Sequence, residues 1–573
     1  MSTEKDPAPP YSPGAASSSS EGFIGSFIEG FKPHPVHAAA TAKRRATASG
    51  GQYDIEQAAI NLAESPLSRK LKGRHLQMIA IGGSIGTGLF VGSGKALNTG
   101  GPASLLIAFG LIGAMLFCVV HALGEMAVLF PIAGSFSAYS TRFLDPAWGF
   151  AMGWNYALQW LIVLPLEIVA ASITIDFWHS TVNKAVWVTI FWILIVIINL
   201  FGVKGYGEAE FVFSLIKVVA VIGFIILGVI LNVGGGPSGE YIGGRYWSNP
   251  GAFHHGFKGL CSVFVTAAFA FAGTELVGLA AAETANPRKS LPTAVKQVFW
   301  RITLFYIVSL TLIGLLVPYN EPRLLGGSSG ADASASPFVI AIDNAGIAVL
   351  PSIMNVVIMI AVLSVGNSSV YGSSRTLAAL AEQGQAPRIL AYIDRRGRPM
   401  VGIALSAVIG LLGYLAASPK QGDAFNWMLA ISGLSSIFTW GSVCLAHIRF
   451  RAGWKKQGHT LDELAFRSQP GVIGSWFGFA LNVLVLIAQF WVAVWPLGSK
   501  PNAETFFSIY LTVPVVLAFY VPYKLIYKTP FVRSADMDLV TGRREVDLDS
   551  ILMEERAEQA AWPKWKKIYR MFC

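Results

Sequence analysis

The stretch Ile79-Ala-Ile-Gly-Gly-Ser-Ile-Gly-Thr-Gly-Leu-Phe90 determines how this chain folds. It is apolar enough to enter a membrane, yet four of the seven residues from Gly82 to Gly88 are glycine. Because each glycine costs about 1 kcal/mol relative to alanine inside a helix, we expect the helix to break here. In lipid, irregular backbone is tolerated only against protein or a water-filled cavity, so a break predicts a place where the main chain meets a ligand.

The same glycines permit a second interpretation, which is close helix packing, since Gly82 and Gly86 form a small-xxx-small pair. Taken alone, the two interpretations have equal weight. A second interrupted segment, 267–278, favours the break, because Gly273 and an ionisable Glu275 lie in the middle of its apolar run. A half-helix amino terminus attracts an anion and unwound carbonyls attract a cation, so a pair of breaks suits a small zwitterion.

The composition is that of a membrane protein, with 53% apolar and only 13% charged residues in a chain of 573. The formal charge of +10 is scattered between apolar runs rather than gathered in one patch, so nucleic acid is not an expected partner. Four cysteines at unrelated spacings support neither a disulfide framework nor a zinc site, and no GxxxxGK[ST] nucleotide cradle occurs. We therefore expect no metal and no cofactor, and we do not expect an enzyme.

Apolar segments of about 20 residues, the length that crosses a bilayer core, follow one another from Leu76 to Tyr527. We count twelve spans, of which spans 5 and 7 are predicted to begin at residues 209 and 298. Five spans per unit force a second unit to enter from the opposite side, so spans 1–5 and 6–10 predict two inverted repeats. The predicted fold is an all-α membrane protein of twelve transmembrane helices in a five-plus-five inverted repeat, with helices 1 and 6 discontinuous.

The orientation follows from the loop charges, because Lys and Arg near span ends resist translocation. With the amino terminus inside, the inside loops hold 16 Lys and Arg and the outside loops hold seven. Both termini are therefore predicted to be cytosolic. The predicted segments are a disordered leading tail (1–75), repeat 1 (76–231), repeat 2 (259–446), spans 11 and 12 (474–526) and a cytosolic carboxyl tail (527–573).

Several motifs carry a resemblance to a known family: Arg74 to Phe90, Gly124 to Ala127, Pro131 to Ser135, Gly153 to Tyr156 and Ala446 to Arg451. Together they resemble the fungal amino acid permeases of the amino acid–polyamine–organocation superfamily, over roughly residues 67 to 530. The resemblance implies a LeuT-like fold in a multi-pass protein of the plasma membrane. It also implies a secondary transporter that imports amino acids by proton symport.

The resemblance further assigns a substrate site to residues of spans 1, 3 and 6: Gly86, Thr87, Gly88, Asn155, Phe269, Ala272 and Thr274. The backbone and hydroxyl around Thr87 would hold the substrate carboxylate, and the carbonyls of Phe269 and Ala272 would accept from its ammonium. Phe269 matches the aromatic gate of the family. Some relatives have tryptophan where this chain has Phe269, and for that reason we do not infer a cationic substrate. The predicted specificity is broad or neutral.

Four charged side chains lie inside the predicted spans and away from their ends: Glu125, Glu167, Lys217 and Glu275. Each costs about 2.5 to 3.5 kcal/mol at the centre of a lipid-facing helix, so each is a candidate for proton coupling. Lys217 resembles the span-5 lysine that occupies a sodium position in proton-coupled relatives, and its alternative role is a charged brace against span 1. Glu125 lies close enough to a span end to be an interfacial brace instead. The sequence does not separate coupling from packing.

The tails predict partners other than the substrate. The family often ends in a palmitoylated cysteine, which predicts lipidation of Cys573 beside a basic and aromatic segment at the lipid bilayer. By the same resemblance, Lys5, Lys32 and Lys43 are expected acceptors for a ubiquitin ligase and the trafficking machinery. The alternative to a proton–amino acid symporter is a non-transporting amino acid sensor built on the same fold.

Overall fold

The computed structural model describes residues 29–35, 53–83, 85–237, 239–326, 336–498, 500–543 and 563. Within this part of the chain the regular structure is helical, and two isolated β-bridges, Pro33 with Asp394 and Leu71 with Thr284, do not extend into strands. The predictions for Lys5, Lys43 and Cys573 concern residues outside the described ranges.

The helices cross the bundle in the order predicted from the apolar segments. From span 1 to span 12 they are Gly73–Gly82 with 88–100, then 102–129, Pro146–Trp178, Lys184–Leu200, Gly202–Asn232, Gly256–Phe271 with Leu276–Ala280, Pro287–Leu316, Leu350–Glu382, Met400–Ala417, Gln421–Lys456, Gly471–Val494, and Ala503–Tyr510 with Thr512–Tyr527. We call the two halves of span 1 helices 1a and 1b, and the halves of span 6 helices 6a and 6b.

Length and hydropathy alone identify fewer crossing helices than twelve. Among the described residues, nine helices are long and apolar enough to cross a membrane, and ten if the bent pair of span 12 counts as one. The apolar helix Lys184–Leu200 has 17 residues, one fewer than the 18 required of a crossing helix in this count. The 42-residue helix Gly88–Leu129 contains two spans, because Gly101 (φ 80°, ψ 170°) interrupts it and Pro102 follows.

The fold is the predicted one, with two inverted five-helix repeats and with spans 1 and 6 discontinuous at the predicted glycines. Burial separates inner spans from peripheral ones. In the most apolar 18 residues of spans 3 and 6, 89% of positions are buried, whereas the value for spans 5, 9 and 11 is 33%. Span 3 packs extensively on span 8 and span 10, so its polar side chains face protein rather than lipid.

The described helix before span 1 and the described residues after span 12 meet at one end of the bundle, which we call the tail side, since a Cβ on Gly542 would lie 3.4 Å from Ala63. The leading tail was predicted to be disordered, but it contains the helix Ile55–Ala63. Asp54 caps this helix by accepting from Gln57 N at 3.0 Å, and its Ala58, Ala59 and Leu62 are buried. Burial of this apolar stripe explains the order that the polar composition of the tail did not predict.

Candidate functional site at the paired helix breaks

Span 1 breaks where its glycines cluster. Helix 1a ends at Gly82, and the N–H groups of Gly83 and Ile85 donate to the carbonyls of Ile79 and Gly82 at 3.0 Å. The chain bends at Gly86 before helix 1b begins with the wider turns of a π-helix at Gly88–Gly92. Gly83, Ile85 and Gly86 therefore lie between the half-helices without regular helical structure, in the interior of the bundle.

Span 6 breaks over four residues. Helix 6a ends at Phe271, Ala272 adopts an extended conformation (φ −56°, ψ 142°), and Gly273 has a positive φ of 96° that favours glycine. The Thr274 hydroxyl donates to the Phe271 carbonyl at 2.7 Å, which satisfies one of the carbonyls at the end of helix 6a. Helix 6b then starts at Leu276.

The two breaks lie against each other because of the glycines. A Cβ added to Gly88 would lie 2.3 Å from Ala270 Cα, so only glycine permits this approach of helix 1b to helix 6a. A Cβ on Gly86 would lie 2.4 Å from Val365 of span 8, and one on Gly82 would lie 2.3 Å from Ser214 Oγ of span 5. The glycines thus serve both interpretations, since they mark the break and also allow close packing around it.

Thr87 connects the break in span 1 to span 3. Its hydroxyl donates to Glu167 Oε2, and both residues are buried. The other carboxylate oxygen of Glu167 is buried and has no hydrogen-bond partner among the described residues. Pro165 lies two residues earlier in the same helix. The carboxylate predicted to take part in proton coupling therefore contacts the residue predicted to hold the substrate.

Lys217 is paired with a carboxylate that sequence reasoning did not select. Its ammonium lies 3.3 Å from Glu210 Oε1 and donates to Ser364 Oγ of span 8 at 2.8 Å. Glu210 also accepts from Ser364 at 2.7 Å and from Ser214 at 3.1 Å, and it is fully buried. The predicted start of span 5 at residue 209 places Glu210 at a span end, whereas the helix begins at Gly202. Its spacing of seven residues from Lys217, which places both on one helix face, was the available signal.

Glu275 folds back onto the break that precedes it. Its carboxylate accepts from Gly273 N at 3.2 Å, from the Tyr156 hydroxyl at 3.2 Å and from the Trp440 indole at 3.1 Å. These donors come from spans 6, 3 and 10, so the carboxylate joins three helices around the break. Glu275 is fully buried.

Glu125 lies apart from the breaks, at the tail-side end of span 2. Arg451 binds its two oxygens at 2.5 and 2.7 Å, His447 Nε2 lies 3.0 Å away, and Ser468 N donates at 2.7 Å. These partners belong to span 10 and to the loop after it. This arrangement has the geometry of the interfacial brace that the sequence left as an alternative.

The remaining predicted substrate residues surround the break in span 6. Asn155 donates to Ser435 O of span 10 at 3.1 Å, and Phe269 and Ala272 are buried. The Phe269 carbonyl accepts from Ala272 N at 3.1 Å, which leaves one lone pair for another donor. The predicted role of these residues in binding remains a prediction.

A cavity in the described part of the chain lies away from the breaks. It has a volume of about 630 Å³ and lies between the tail-side ends of spans 3 and 10 and the neighbouring spans 11 and 12, where Trp148, Phe438 and Phe479 line it. None of the predicted site residues line it. In the described residues we also find no group of three or more His, Cys, Asp or Glu that could hold a metal ion.

The broken, inverted-repeat fold is that of a multi-pass membrane transporter. The crystal structure of a manganese transporter from Eremococcus coleocola is similar in fold, with a TM-score of 0.50 and 11% sequence identity. The alignment covers 79% of this chain and 94% of that one. At this identity the likeness concerns the fold alone.

Sequence comparison defines the family. The amino acid permease family model matches residues 75–535, and the chain belongs to this family, which is a class of permeases and not of enzymes. It is 64% identical to the general amino-acid permease GAP2 of Candida albicans, over 91% of this chain and 89% of the relative. It is 59% identical to the general amino-acid permease GAP1 of Saccharomyces cerevisiae, over 91% and 88% of the two chains.

Proposed function

We propose that this protein imports amino acids across the plasma membrane by proton symport, with both termini in the cytosol and with broad or neutral specificity. Membership of the amino acid permease family supports transport of an amino acid. Two similar relatives bear the name general amino-acid permease, which supports broad specificity. The paired breaks suit a zwitterion, because half-helix ends present both donors and acceptors to a ligand.

The hydrogen bond between Thr87 and Glu167 is the observation that carries proton coupling. A threonine hydroxyl has one hydrogen to donate. While Glu167 is ionised, it takes that hydrogen, and Thr87 cannot offer it to a substrate carboxylate. A proton on Glu167 removes this demand and frees the Thr87 hydroxyl for the substrate. Proton and amino acid then favour each other's binding, which is the thermodynamic requirement of symport.

Lys217 has a supporting role in this scheme. Its pairing with Glu210 favours the charged ammonium, so we assign the transported proton to Glu167 rather than to Lys217. The ammonium also interacts electrostatically with Glu167. A fixed positive charge between spans 5 and 8 keeps the ionised form of Glu167 accessible, so that the carboxylate releases its proton after the substrate has left.

The test is the Glu167→Gln variant of the full chain in liposomes with an imposed pH gradient. Glutamine keeps the size of the side chain but binds no proton. We expect accumulation of labelled leucine to fall by about 5- to 150-fold, the usual range of a coupling between two sites, while exchange of labelled for unlabelled leucine persists. Glu208→Gln, which alters a half-exposed glutamate paired with Arg74, is the matched control and should accumulate normally.

Undiminished gradient-driven accumulation by Glu167→Gln would show that the proton travels elsewhere. If the unaltered protein binds leucine but neither accumulates nor exchanges it, the alternative of a non-transporting sensor is correct. Competition by unlabelled proline, arginine and glutamate across external pH measures the breadth of specificity.

A further inference from the structure

A buried arginine of span 7 contacts the carbonyl end of helix 1a directly and the carbonyl end of helix 6a through Tyr306. Arg301 is fully buried and begins a π-helical segment, Arg301–Val308, inside Pro287–Leu316. Such wide turns inside an α-helix are frequent at functional sites. The predicted start of span 7 at residue 298 places Arg301 at a span end, where it counts among the inside charges that set the orientation. The helix actually begins at Pro287, which places Arg301 well inside the span.

The guanidinium binds the carbonyl end of helix 1a directly. Its Nη1 donates to the Ala80 carbonyl at 2.9 Å, within the last turn of that half-helix. The last four carbonyls of a helix lack intrahelical partners and carry its negative dipole end. A cation at this position is therefore favoured by both the hydrogen bond and the dipole.

The same guanidinium reaches helix 6a through Tyr306. Its Nη2 lies 3.5 Å from the Tyr306 hydroxyl, and its Cζ lies 5.8 Å from the centre of that ring. The hydroxyl in turn donates to the Ala270 carbonyl at 2.7 Å. Ala270 belongs to the last turn of helix 6a and touches Gly88 of helix 1b. The carboxyl ends of both half-helices are thus joined to one positive charge.

Transporters with broken helices commonly place a metal cation at unwound carbonyls and half-helix carboxyl ends. Here the guanidinium occupies such a position and cannot lose its proton. Its Nε–H is buried and has no acceptor among the described residues, so hydrogen bonds satisfy only part of the group. Its charge also acts on Glu275 beside the break in span 6.

We propose that Arg301 is a positioning residue that serves as a built-in cation for the carboxyl ends of helices 1a and 6a, in place of a metal ion. It holds the two breaks in register for the amino acid, and it makes substrate binding independent of sodium. This inference rests on the proposed substrate site, but it concerns charge at the breaks and not the path of the proton.

The first experiment separates charge from packing. Arg301→Lys keeps a cation, whereas Arg301→Gln keeps a hydrogen-bond donor on a shorter side chain without the charge. Both variants are compared at equal surface amounts in cells lacking other permeases. We expect the glutamine variant to lose at least about tenfold more leucine affinity than the lysine variant, which corresponds to the loss of one hydrogen bond to a charged group. Equal losses in the two variants would overturn the proposal.

The second experiment restores the cation from solution. Arg301→Ala in liposomes should regain several-fold of its leucine uptake with millimolar guanidinium and none with urea, which is the uncharged molecule of the same shape. Equal recovery with both, or recovery with neither, would contradict a role for the charge.

The unaltered protein provides a third measurement, which does not depend on whether the variants fold. Leucine-induced thermal stabilisation in detergent should be the same in sodium and in choline buffers, and a requirement for sodium would overturn the proposal. Because this readout is binding, it remains valid if gradient-driven accumulation, and with it the proposed symport, fails.

Discussion

Two buried glutamates of this permease, Glu125 and Glu167, have opposite surroundings. Glu125, at the tail-side end of span 2, accepts from Arg451, His447 and Ser468, and both of its oxygens have partners. Glu167, inside span 3, accepts from Thr87 alone, and its second oxygen has no partner among the described residues. Both side chains are almost completely shielded from solvent.

The difference separates a charge that stabilises the fold from one that, in the proposed function, gains and loses a proton. A buried carboxylate with a cation and several donors is held ionised, and protonating it would break several bonds at once. A carboxylate with one hydroxyl donor and a free oxygen loses little when it takes a proton. The number of hydrogen-bond partners of a buried carboxylate, which the sequence does not reveal, therefore distinguishes a candidate coupling residue from a structural one.

The largest loss of stability is expected when the hydrogen-bonded cluster around Glu125 is broken. Glu125→Gln removes the negative charge and leaves Arg451, whose side chain is only 11% exposed, without its counterion. Removing one partner of a buried pair typically costs about 3 to 5 kcal/mol, so we expect a large loss of folded protein at the cell surface. The measurement is melting temperature in detergent together with surface labelling.

The protein that does fold should show normal pH dependence of uptake per molecule, because the proposed function assigns the transported proton to Glu167 and not to Glu125. A changed pH profile with normal stability would place Glu125 among the coupling residues and would remove the contrast with Glu167.

The second effect concerns the pair of Lys217 and Glu210. Lys217→Met leaves Glu210 uncompensated, so we expect a loss of stability of about 3 kcal/mol in addition to a loss of gradient-driven accumulation. The double variant Lys217→Met with Glu210→Gln removes both charges and should recover most of the melting temperature. Accumulation should stay low in the double variant, because the fixed cation near Glu167 is still missing. Accumulation restored to normal would show that Lys217 acts only as a brace.

The third effect is smaller and tests the connection between substrate and proton. Thr87→Val removes the hydroxyl but keeps the shape of the side chain. One hydrogen bond to a charged group is worth about 1.5 to 3 kcal/mol, so the apparent KM should rise about tenfold or more for every amino acid alike. Thr87→Ser keeps the hydroxyl and is the matched control. A rise in KM for one class of side chain only would contradict a role at the shared carboxylate.

How far the sequence predicts this arrangement depends on the kind of residue. The glycines from Gly82 to Gly88 and Gly273 predict both breaks, because their backbone freedom is a local property. The pairing of Lys217 with Ser364 joins residues that are 147 positions apart, and no local pattern reveals it. Glu210 and Arg301 were missed because apolar periodicity fixes span ends poorly.

The misplaced ends of spans 5 and 7 share a physical cause. Spans 5 and 7 begin at Gly202 and Pro287, and their first turns mix buried apolar residues with polar ones such as the exposed Lys204 and Lys289. A hydropathy window interprets such turns as loops, because it measures transfer to lipid and takes no account of polar partners on neighbouring helices. Polar residues in the turn before a predicted span therefore remain candidates for the site.

The smallest effect is expected at the tail side, where the carboxyl segment meets the helix Ser135–Phe143 that follows span 2. Asp538 lies 3.6 Å from Arg142, whose Nη1 donates to the Thr541 carbonyl at 2.9 Å. Burial alone would raise the pKa of Asp538, but Arg142 and the N–H groups of Thr541 and Val540 outweigh it and hold the pKa below its ordinary value. The carboxylate therefore stabilises the contact above the ordinary aspartate pKa, and this contribution is lost as pH falls through the lowered value.

Asp538→Asn imitates that loss at neutral pH. Because Asp538 is a quarter exposed, we expect less than about 1 kcal/mol, visible as faster amide exchange in residues 536–543 with unchanged leucine uptake. Asp536→Asn, at an exposed neighbouring aspartate, is the matched control and should exchange as the unaltered chain does. Exchange that accelerates equally in both variants would mean that general charge, and not the pair with Arg142, holds the segment to the bundle. The partly exposed pair of Asp538 and Arg142 would then contribute nothing to stability. Stabilisation by a fully hydrogen-bonded carboxylate would be confined to interior sites such as Glu125.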